Sequence, residues 1–238
     1  MNVGIHQPEF FPWLGFFHKM SLCDTFVLLD TVQFEKNNFQ NRNKILFGGE
    51  SGWLSMPVEK HSLHTLVKDI DINWTDEKLI KKHLLSIEQN YKKCEFFSEV
   101  FPFLQELYEQ KLEKLSDFNT QVIVFFVKAL GLKTTIVRAS EMALSGEAHG
   151  GTDVTLEICK DLQADTYISG SGAKAYLDVQ KYTDAGIKVY FQDFHYPTYE
   201  QKGTKEFVSH LSVLDLYMNH GPKSISLLMQ GNDQKQNI

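Results

Sequence analysis

The chain has 238 residues, of which 42% are hydrophobic and 23% are charged, so we expect a folded globular protein with a substantial core. Its formal net charge of −6 disfavours broad binding to a phosphate backbone, and we predict that it does not bind DNA. No apolar run approaches the roughly 18 residues that a membrane helix needs, so we predict no membrane insertion.

The N-terminal residues and the cysteines predict a cytoplasmic protein. The chain does not open with the basic and apolar segments of a secretory signal peptide. The cysteines Cys23, Cys94 and Cys159 are odd in number and far apart. We therefore expect reduced thiols, none of them a nucleophile.

The first third of the chain predicts a βαβ unit followed by a polar loop. "MNVGIH" is a short apolar strand, Pro12 begins a helix that runs to about Leu22, and "TFVLLD" is a buried parallel strand. The stretch "TVQFEKNNFQNRNKIL" is then a polar loop, and "GWLSMPV" and "LVKDIDI" are shorter strands. Residues 75–131 are strongly helical, with Thr75 as an N-cap and Gly131 at the end.

Strands and helices alternate through the rest of the chain. The predicted parallel strands lie at about 2–6, 25–30, 133–138, 165–169 and 187–191. This order predicts an α/β fold: a central parallel sheet of about five strands flanked by helices, with 75–131 as a mostly helical insertion or cap. Two helices follow the last strand. We predict a single domain over 1–229 and a flexible tail over 230–238.

Ligands of such sheets bind at the carboxyl ends of the strands, and His6 ends the first one. A histidine there can be a general base or can donate a hydrogen bond to developing negative charge, although a lone histidine is more often structural. Gln7 follows it in a turn that Pro8 stiffens. Trp13 sets the packing of the next helix, and its ring could also stack on a ring-shaped ligand.

The polar loop carries a candidate anion site. Arg42 would fork onto a carboxylate or phosphate, and Gln33, Asn41 and Lys44 would add donors. The alternative is an ordinary surface loop.

The stretch "YISGSGAKAYLD" follows a strand and predicts an anion-binding turn. Gly170, Ser171 and Gly172 would present backbone N–H groups at the start of a helix, Lys174 would add a charge, and Tyr176 would line the site. The same residues match the dinucleotide pattern G-x-G-x-x-G/A, so a nucleotide-dependent oxidoreductase is an alternative. It is disfavoured because that pattern normally opens its domain.

Further polar residues follow the last strand in "FQDFHYPTYEQ". Gln192, His195, Tyr199 and Gln201 suit substrate contacts, with structural roles as the alternative. Asp215 and Asn219 share a helix face and either support a pocket or cap the helix. The pair His61 and His64 lacks a third ligand, so we predict no metal site.

Five of these stretches together resemble the WbqC-like protein family: "HQPEFFPWLGFFHK", "DTVQFEKNNFQNRNKI", "YISGSGAKAYLD", "FQDFHYPTYEQ" and "LSVLDLYMNHG". They run in order from about His6 to Gly221. The family accompanies bacterial surface-polysaccharide genes and has been suggested to transfer glycine onto an amino sugar. The resemblance thus implies amide formation on a nucleotide-linked amino sugar in O-antigen or other surface-polysaccharide biosynthesis.

The opening of the chain is also similar to HIGH-type nucleotidyltransferases such as pantothenate synthetase, an ATP-using amide ligase. It departs from their H-x-G-H pattern, having Trp13-Leu14-Gly15-Phe16 there.

We therefore predict an acyl- or aminoacyltransferase that forms an amide on a nucleotide-linked amino sugar. The donor is an activated amino acid, with ATP or an aminoacyl-tRNA as co-substrate and no tightly bound cofactor. The alternatives are a non-catalytic nucleotide-sugar binding or assembly protein and an ATP-using nucleotidyltransferase-like ligase. The predicted catalytic residues are His6, Gln7, Lys174 and His195. The predicted substrate-binding residues are Trp13, Gln33, Asn41, Arg42, Lys44, Gly170, Ser171, Gly172, Tyr176, Gln192, Tyr199 and Gln201.

Overall fold

The computed structural model describes residues 1–144, 151–235 and 238. Within these ranges the strands are β1 (Asn2–His6), β2 (Thr25–Leu28), β3 (Arg42–Phe47), β4 (Glu50–Ser55), β5 (Thr135–Arg138), β6 (Thr166–Gly170) and β7 (Lys188–Gln192). The α-helices are α1 (Leu14–Ser21), α2 (Glu77–Tyr91), α3 (Phe97–Glu109), α4 (Leu115–Ala129), α5 (Gly151–Asp161), α6 (Val179–Asp184), α7 (Val213–His220) and α8 (Ser224–Met229).

Five of the strands form one parallel sheet in the order β5-β2-β1-β6-β7. Each of the five parallel strands expected from the sequence overlaps one of them, so the α/β fold is confirmed. From β1 the chain adds β2 and β5 on one side of the sheet and then β6 and β7 on the other. The connections therefore change sides at the boundary between β1 and β6. In open α/β sheets, ligands bind beside the carboxyl ends of the strands at such a point.

The two faces of the sheet are covered by separate hydrophobic clusters, because successive side chains of a strand point to opposite faces. Phe26 and Ile168 belong to the larger cluster, which includes α1, α4 and α7. Val27 and Tyr167 belong to the smaller one, with α5 and α6. A strand buried on both faces is mostly apolar, as in "TFVL" of β2.

The predicted helical region consists of α2, α3 and α4. Apolar residues of all three, such as Ile87, Leu104 and Phe118, join the cluster that covers the sheet. The single domain and the role of these helices as an insertion or cap stay predictions. None of the helices in the described ranges is long and apolar enough to cross a bilayer.

The hairpin of β3 and β4 is the main departure from the sequence prediction, which had a polar loop where β3 lies. Gly48 and Gly49 form its turn with φ angles of 59° and 95°, which are strained for other residues. β3 reads as polar because its buried face includes Asn43, whose side-chain amide donates to the carbonyl oxygen of Phe11 over 2.9 Å.

Several predicted boundaries are also wrong. The segment "LVKDIDI" is not a strand: it contains a 3-10 turn, Val67–Asp69, and isolated bridges. The first helix begins at Leu14, two residues after Pro12. The N-cap of α2 is Asp76 instead of Thr75, because the Asp76 carboxylate accepts from the Leu79 N–H over 3.1 Å.

Asn232 and Asp233, which follow α8, contact α1 and the segment after β7. The carbonyl oxygen of Asp233 lies 2.9 Å from His18 Nε2, and the Asn232 side chain bonds to both backbone groups of His195. The predicted flexibility of 230–238 stays a prediction.

Candidate functional site

His6 ends the central strand at the carboxyl edge of the sheet. Its Nδ1 lies 3.1 Å from the carbonyl oxygen of Gln7. Because a carbonyl oxygen only accepts, Nδ1 carries the proton and Nε2 keeps its lone pair in the neutral ring. The side chain is 32% exposed, and its ring packs edge-on against Phe16. His6 Nε2 is thus a hydrogen-bond acceptor located at the carboxyl edge of the sheet.

Two buried ionisable residues lie behind His6, and sequence reasoning missed both. The Lys19 ammonium donates to the carbonyl oxygen of Ile5 over 2.7 Å, and Glu9 Oε1 is 3.7 Å from His6 Nδ1. Glu9 and Lys19 are almost wholly buried. Their position in apolar sequence, "PEFFP" and "FFHKM", is the signal that could have found them.

Burial is the largest cause of the pKa shifts of His6, Glu9 and Lys19. It lowers the pKa of His6 to about 3, with help from the charge of Lys19. It raises the pKa of Glu9 to about 8 and lowers that of Lys19 to about 8. Near neutral pH the imidazole is therefore uncharged, and the carboxyl of Glu9 retains its proton.

Gln7 binds a neighbouring loop. Its side-chain oxygen accepts a hydrogen bond from the amide of Gln40, and Gln40 also accepts from the N–H of Glu35 over 2.8 Å. The side chain of Asn119 donates to the carbonyl oxygens of Pro8 and Gln40. The turn after His6 is therefore held to the loop that leads into β3.

An ion pair between Asp30 and Arg138 links the carboxyl ends of β2 and β5. Asp30 is fully buried and accepts from Arg138 Nε and Nη2 over 3.0 and 2.9 Å. Ser140 donates to the same carboxylate, and Arg138 also contacts Asp117. Four hydrogen bonds from Arg138 and Ser140 occupy the Asp30 carboxylate, so we assign this group a structural role.

The predicted anion loop divides between buried and exposed residues. Asn41 is buried and donates to the carbonyl oxygen of Met56 over 3.0 Å, so its amide supports the loop. Gln33 is exposed and its backbone bridges Leu66. Arg42 and Lys44 lie on the outer face of the hairpin.

The glycine turn departs from the predicted helix start. Gly170 ends β6, and residues Ser171–Ala175 form a 3-10 turn with the next α-helix beginning only at Val179. A dinucleotide fingerprint opens an α-helix at this point, so the structure lacks that feature. Gly170 does end the strand next to β1. The roles of Ser171, Gly172, Lys174 and Tyr176 stay predictions.

The residues at the end of β7 are separated by burial. Gln192 is buried, and its amide donates to the carbonyl oxygen of Gly15 and to His18. His195 is exposed, 3.5 Å from Asp193. The ring of Trp13 lies over Gly15, where a Cβ would come within 2.1 Å of it, and packs edge-on against Phe194.

Tyr199 and Gln201 meet at Asp215, away from the strand ends. The Tyr199 hydroxyl and the Gln201 amide donate to Asp215 Oδ2 over 3.0 and 2.7 Å. Burial raises the pKa of Asp215, which is wholly enclosed. This cluster ties the segment after β7 to α7. Asn219 donates to the Asp215 carbonyl oxygen and accepts from Lys202 N–H.

The described residues contain neither a cluster of metal ligands nor an exposed thiol. No three His, Cys, Asp or Glu side chains among the described residues could hold a metal ion. The three cysteines are free and buried, and burial raises their pKa values to about 12, 11 and 12 for Cys23, Cys94 and Cys159. Thiols of this kind are inert.

The comparison with known proteins extends over almost the whole chain. Residues 7–227 match the WbqC-like protein family. The chain belongs to that family. The chain is also 29% identical over 226 residues to the uncharacterized protein Rv1507c of Mycobacterium tuberculosis, covering 94% of this chain and 95% of that protein. Among solved structures there is no significant match.

Proposed function

We propose that this WbqC-like protein is an acyl- or aminoacyltransferase that forms an amide on the amino group of a nucleotide-linked amino sugar. The observation that carries the proposal is His6: a neutral imidazole with a free Nε2 lone pair, at the carboxyl end of the central strand. This edge and strand position are where α/β sheets bind their ligands.

The inferred tautomer of His6 favours one of the two roles considered for this residue. An oxyanion donor would need a proton on Nε2, whereas Nδ1 carries it. His6 is therefore assigned the role of proton acceptor. Its pKa of about 3 makes it a weak base, suited to an acidic N–H and unsuited to a resting ammonium.

The proposed reaction proceeds through a tetrahedral adduct. The free amine of the sugar attacks the activated carbonyl carbon, forming the C–N bond and a tetrahedral adduct with a positive nitrogen. His6 Nε2 accepts a proton from that nitrogen. The adduct collapses and breaks the C–O bond to the leaving group. With an ester donor the proton passes to the leaving oxygen, and with an adenylate it returns to water.

The test is His6→Gln, which removes the proton acceptor and keeps a polar side chain. Wild type is supplied with glycine and ATP, or with glycyl-tRNA, plus a set of nucleotide-linked amino sugars, and the product is detected by mass. We expect product formation to fall at least ~100-fold while sugar affinity stays within ~threefold. The control is His64→Gln, an exposed histidine outside this site. If wild type binds the sugars but forms no amide with either donor, the proposed function is wrong.

A further inference from the structure

The outer face of the β3–β4 hairpin carries two cations on one indole ring. The antiparallel register places Lys44 directly opposite Trp53, and Arg42 lies two residues earlier on the same face. The guanidinium carbon of Arg42 is 4.2 Å from the centroid of the Trp53 ring, and Lys44 Nζ is 5.3 Å from it. Both distances are in the range of cation–π interactions.

The aromatic rings of this face are open to solvent. Trp53 is 43% exposed and Phe39 is 42% exposed, with their ring centroids 6.0 Å apart. We call Phe39, Arg42, Lys44 and Trp53 the hairpin patch. The planes of these two exposed rings are tilted by 52°, so each ring offers a separate face or edge to a planar group.

Apart from their contacts with the Trp53 ring, the two cations of the hairpin patch pair with no acidic side chain in the described parts of the chain. Neither Arg42 nor Lys44 forms a salt bridge with any carboxylate that the structure describes. Arg42 Nε is buried without a hydrogen-bond partner in those same ranges. The sequence has one other arginine, Arg138, and that guanidinium is paired with Asp30 and Asp117. An unpaired guanidinium fork is suited to a phosphate.

The hairpin patch is joined to the turn that follows His6. The carbonyl oxygen of Phe39 accepts from the N–H of Phe10 over 2.9 Å. The next residue, Gln40, donates to the side chain of Gln7. Two hydrogen bonds therefore connect the loop of the patch to the turn that follows His6.

We propose that the hairpin patch binds the nucleoside diphosphate part of the substrate. The base stacks on Trp53 with Phe39 at its edge, and Arg42 and Lys44 turn from the indole ring to bind the two phosphates. Two cations match two phosphates, whereas an RNA strand needs a cation for each phosphate that it contributes, and the chain has a net charge of −6. The inference rests on the proposed function and adds to it the part of the substrate recognised and its location.

The test is calorimetric titration of the full chain with UDP, GDP, ADP and dTDP in turn, without any amino acid donor. We expect at least one to bind, and more tightly than inorganic pyrophosphate. Trp53→Thr, which removes the ring and puts a residue with high strand propensity in its place, should weaken binding about tenfold or more through lost stacking. Arg42→Gln should have a similar effect. Phe39→Ala lies outside the strands and tests the stacking surface if Trp53→Thr fails to fold.

The controls separate this proposal from the proposed function. Lys78→Gln removes an exposed charge on α2 and should leave the dissociation constant unchanged, as should His6→Gln. Absence of binding, equal binding by the patch variants, or equal affinity for pyrophosphate would each overturn the subsite. Tighter binding of a short single-stranded RNA than of every diphosphate would also overturn it. Failure of amide formation in the wild type leaves all of these titrations interpretable.

Discussion

The side chain of Gln40 joins Gln7 to the backbone of Glu35, in the loop before β3. Its amide nitrogen donates to the Gln7 side-chain oxygen, and its oxygen accepts from the N–H of Glu35. Both ends of one buried amide are thereby used. The turn after β1 and the loop before β3, which are 33 residues apart in sequence, are held as one unit.

Gln40→Glu should break this link with almost no change in shape. A carboxylate can still accept from the N–H of Glu35, but it cannot donate to Gln7 and brings a buried charge beside an oxygen. We expect urea unfolding to report a loss of about 2–3 kcal/mol in the free energy of unfolding. Gln105→Glu, on the exposed side of α3, is the matched control and should stay within ~0.5 kcal/mol of wild type. Equal stabilities of the two variants would contradict the assigned hydrogen bonds.

Glu9→Gln should change the pH dependence of stability. The folded-state pKa of Glu9 is raised from 4.5 to about 8 by burial, so the folded state binds more protons than the unfolded state between these values. The stability that the protonated carboxyl contributes is complete below about pH 4.5 and is lost as the pH rises towards 8. Glutamine mimics the protonated acid at every pH.

The free energy of unfolding of Glu9→Gln should therefore rise relative to wild type across this window, by a few kcal/mol at most (~1.4 kcal/mol per pKa unit). Urea unfolding at about pH 5, 6, 7 and 8 measures the difference. Glu106→Gln, an exposed carboxylate of α3, is the control. A constant difference between Glu9→Gln and wild type would show that Glu9 ionises normally in the fold.

Arg138→Met should be strongly destabilising because it leaves the Asp30 carboxylate buried without its cation. Removing one partner of a buried ion pair costs about 3–5 kcal/mol. Adding Asp30→Asn to Arg138→Met should recover part of the loss, since the remaining group is then neutral. Thermal and urea unfolding measure both, with Lys128→Met on the exposed side of α4 as the control. If the double variant is less stable than Arg138→Met, the cost does not arise from the unpaired carboxylate.

The sheet could be predicted from the sequence because its signals are local. Runs such as "TFVLLD" are typical of a strand covered on both faces, and the alternation with helices indicates a parallel sheet. The same rule placed His6 at a strand end. β3 could not be found in this way, because its buried face includes Asn43 and its outer face carries Arg42 and Lys44.

The partners within the candidate site could not be predicted, since each joins segments that are distant in sequence. Lys19 donates to the carbonyl oxygen of Ile5, 14 residues earlier in the chain, and no local pattern indicates that contact. Tyr199 and Gln201 read as substrate contacts until Asp215 is found between them. Trp53, too, stands out only when the hairpin brings Arg42 and Lys44 onto its ring.

The strand order has a consequence for how the chain reaches its fold. β1 is the central strand and precedes the other strands of the sheet in the chain, yet its partner β6 begins at Thr166, with Asn2 paired to Thr166. One edge of β1 therefore stays open while all the intervening chain is made. Pairings of such long sequence separation are slow to form, because closing the long loop costs entropy before the contacts between the strands can stabilise it. During that interval β1 pairs on one side only, with β2, and its other edge is the segment most exposed to association with other chains.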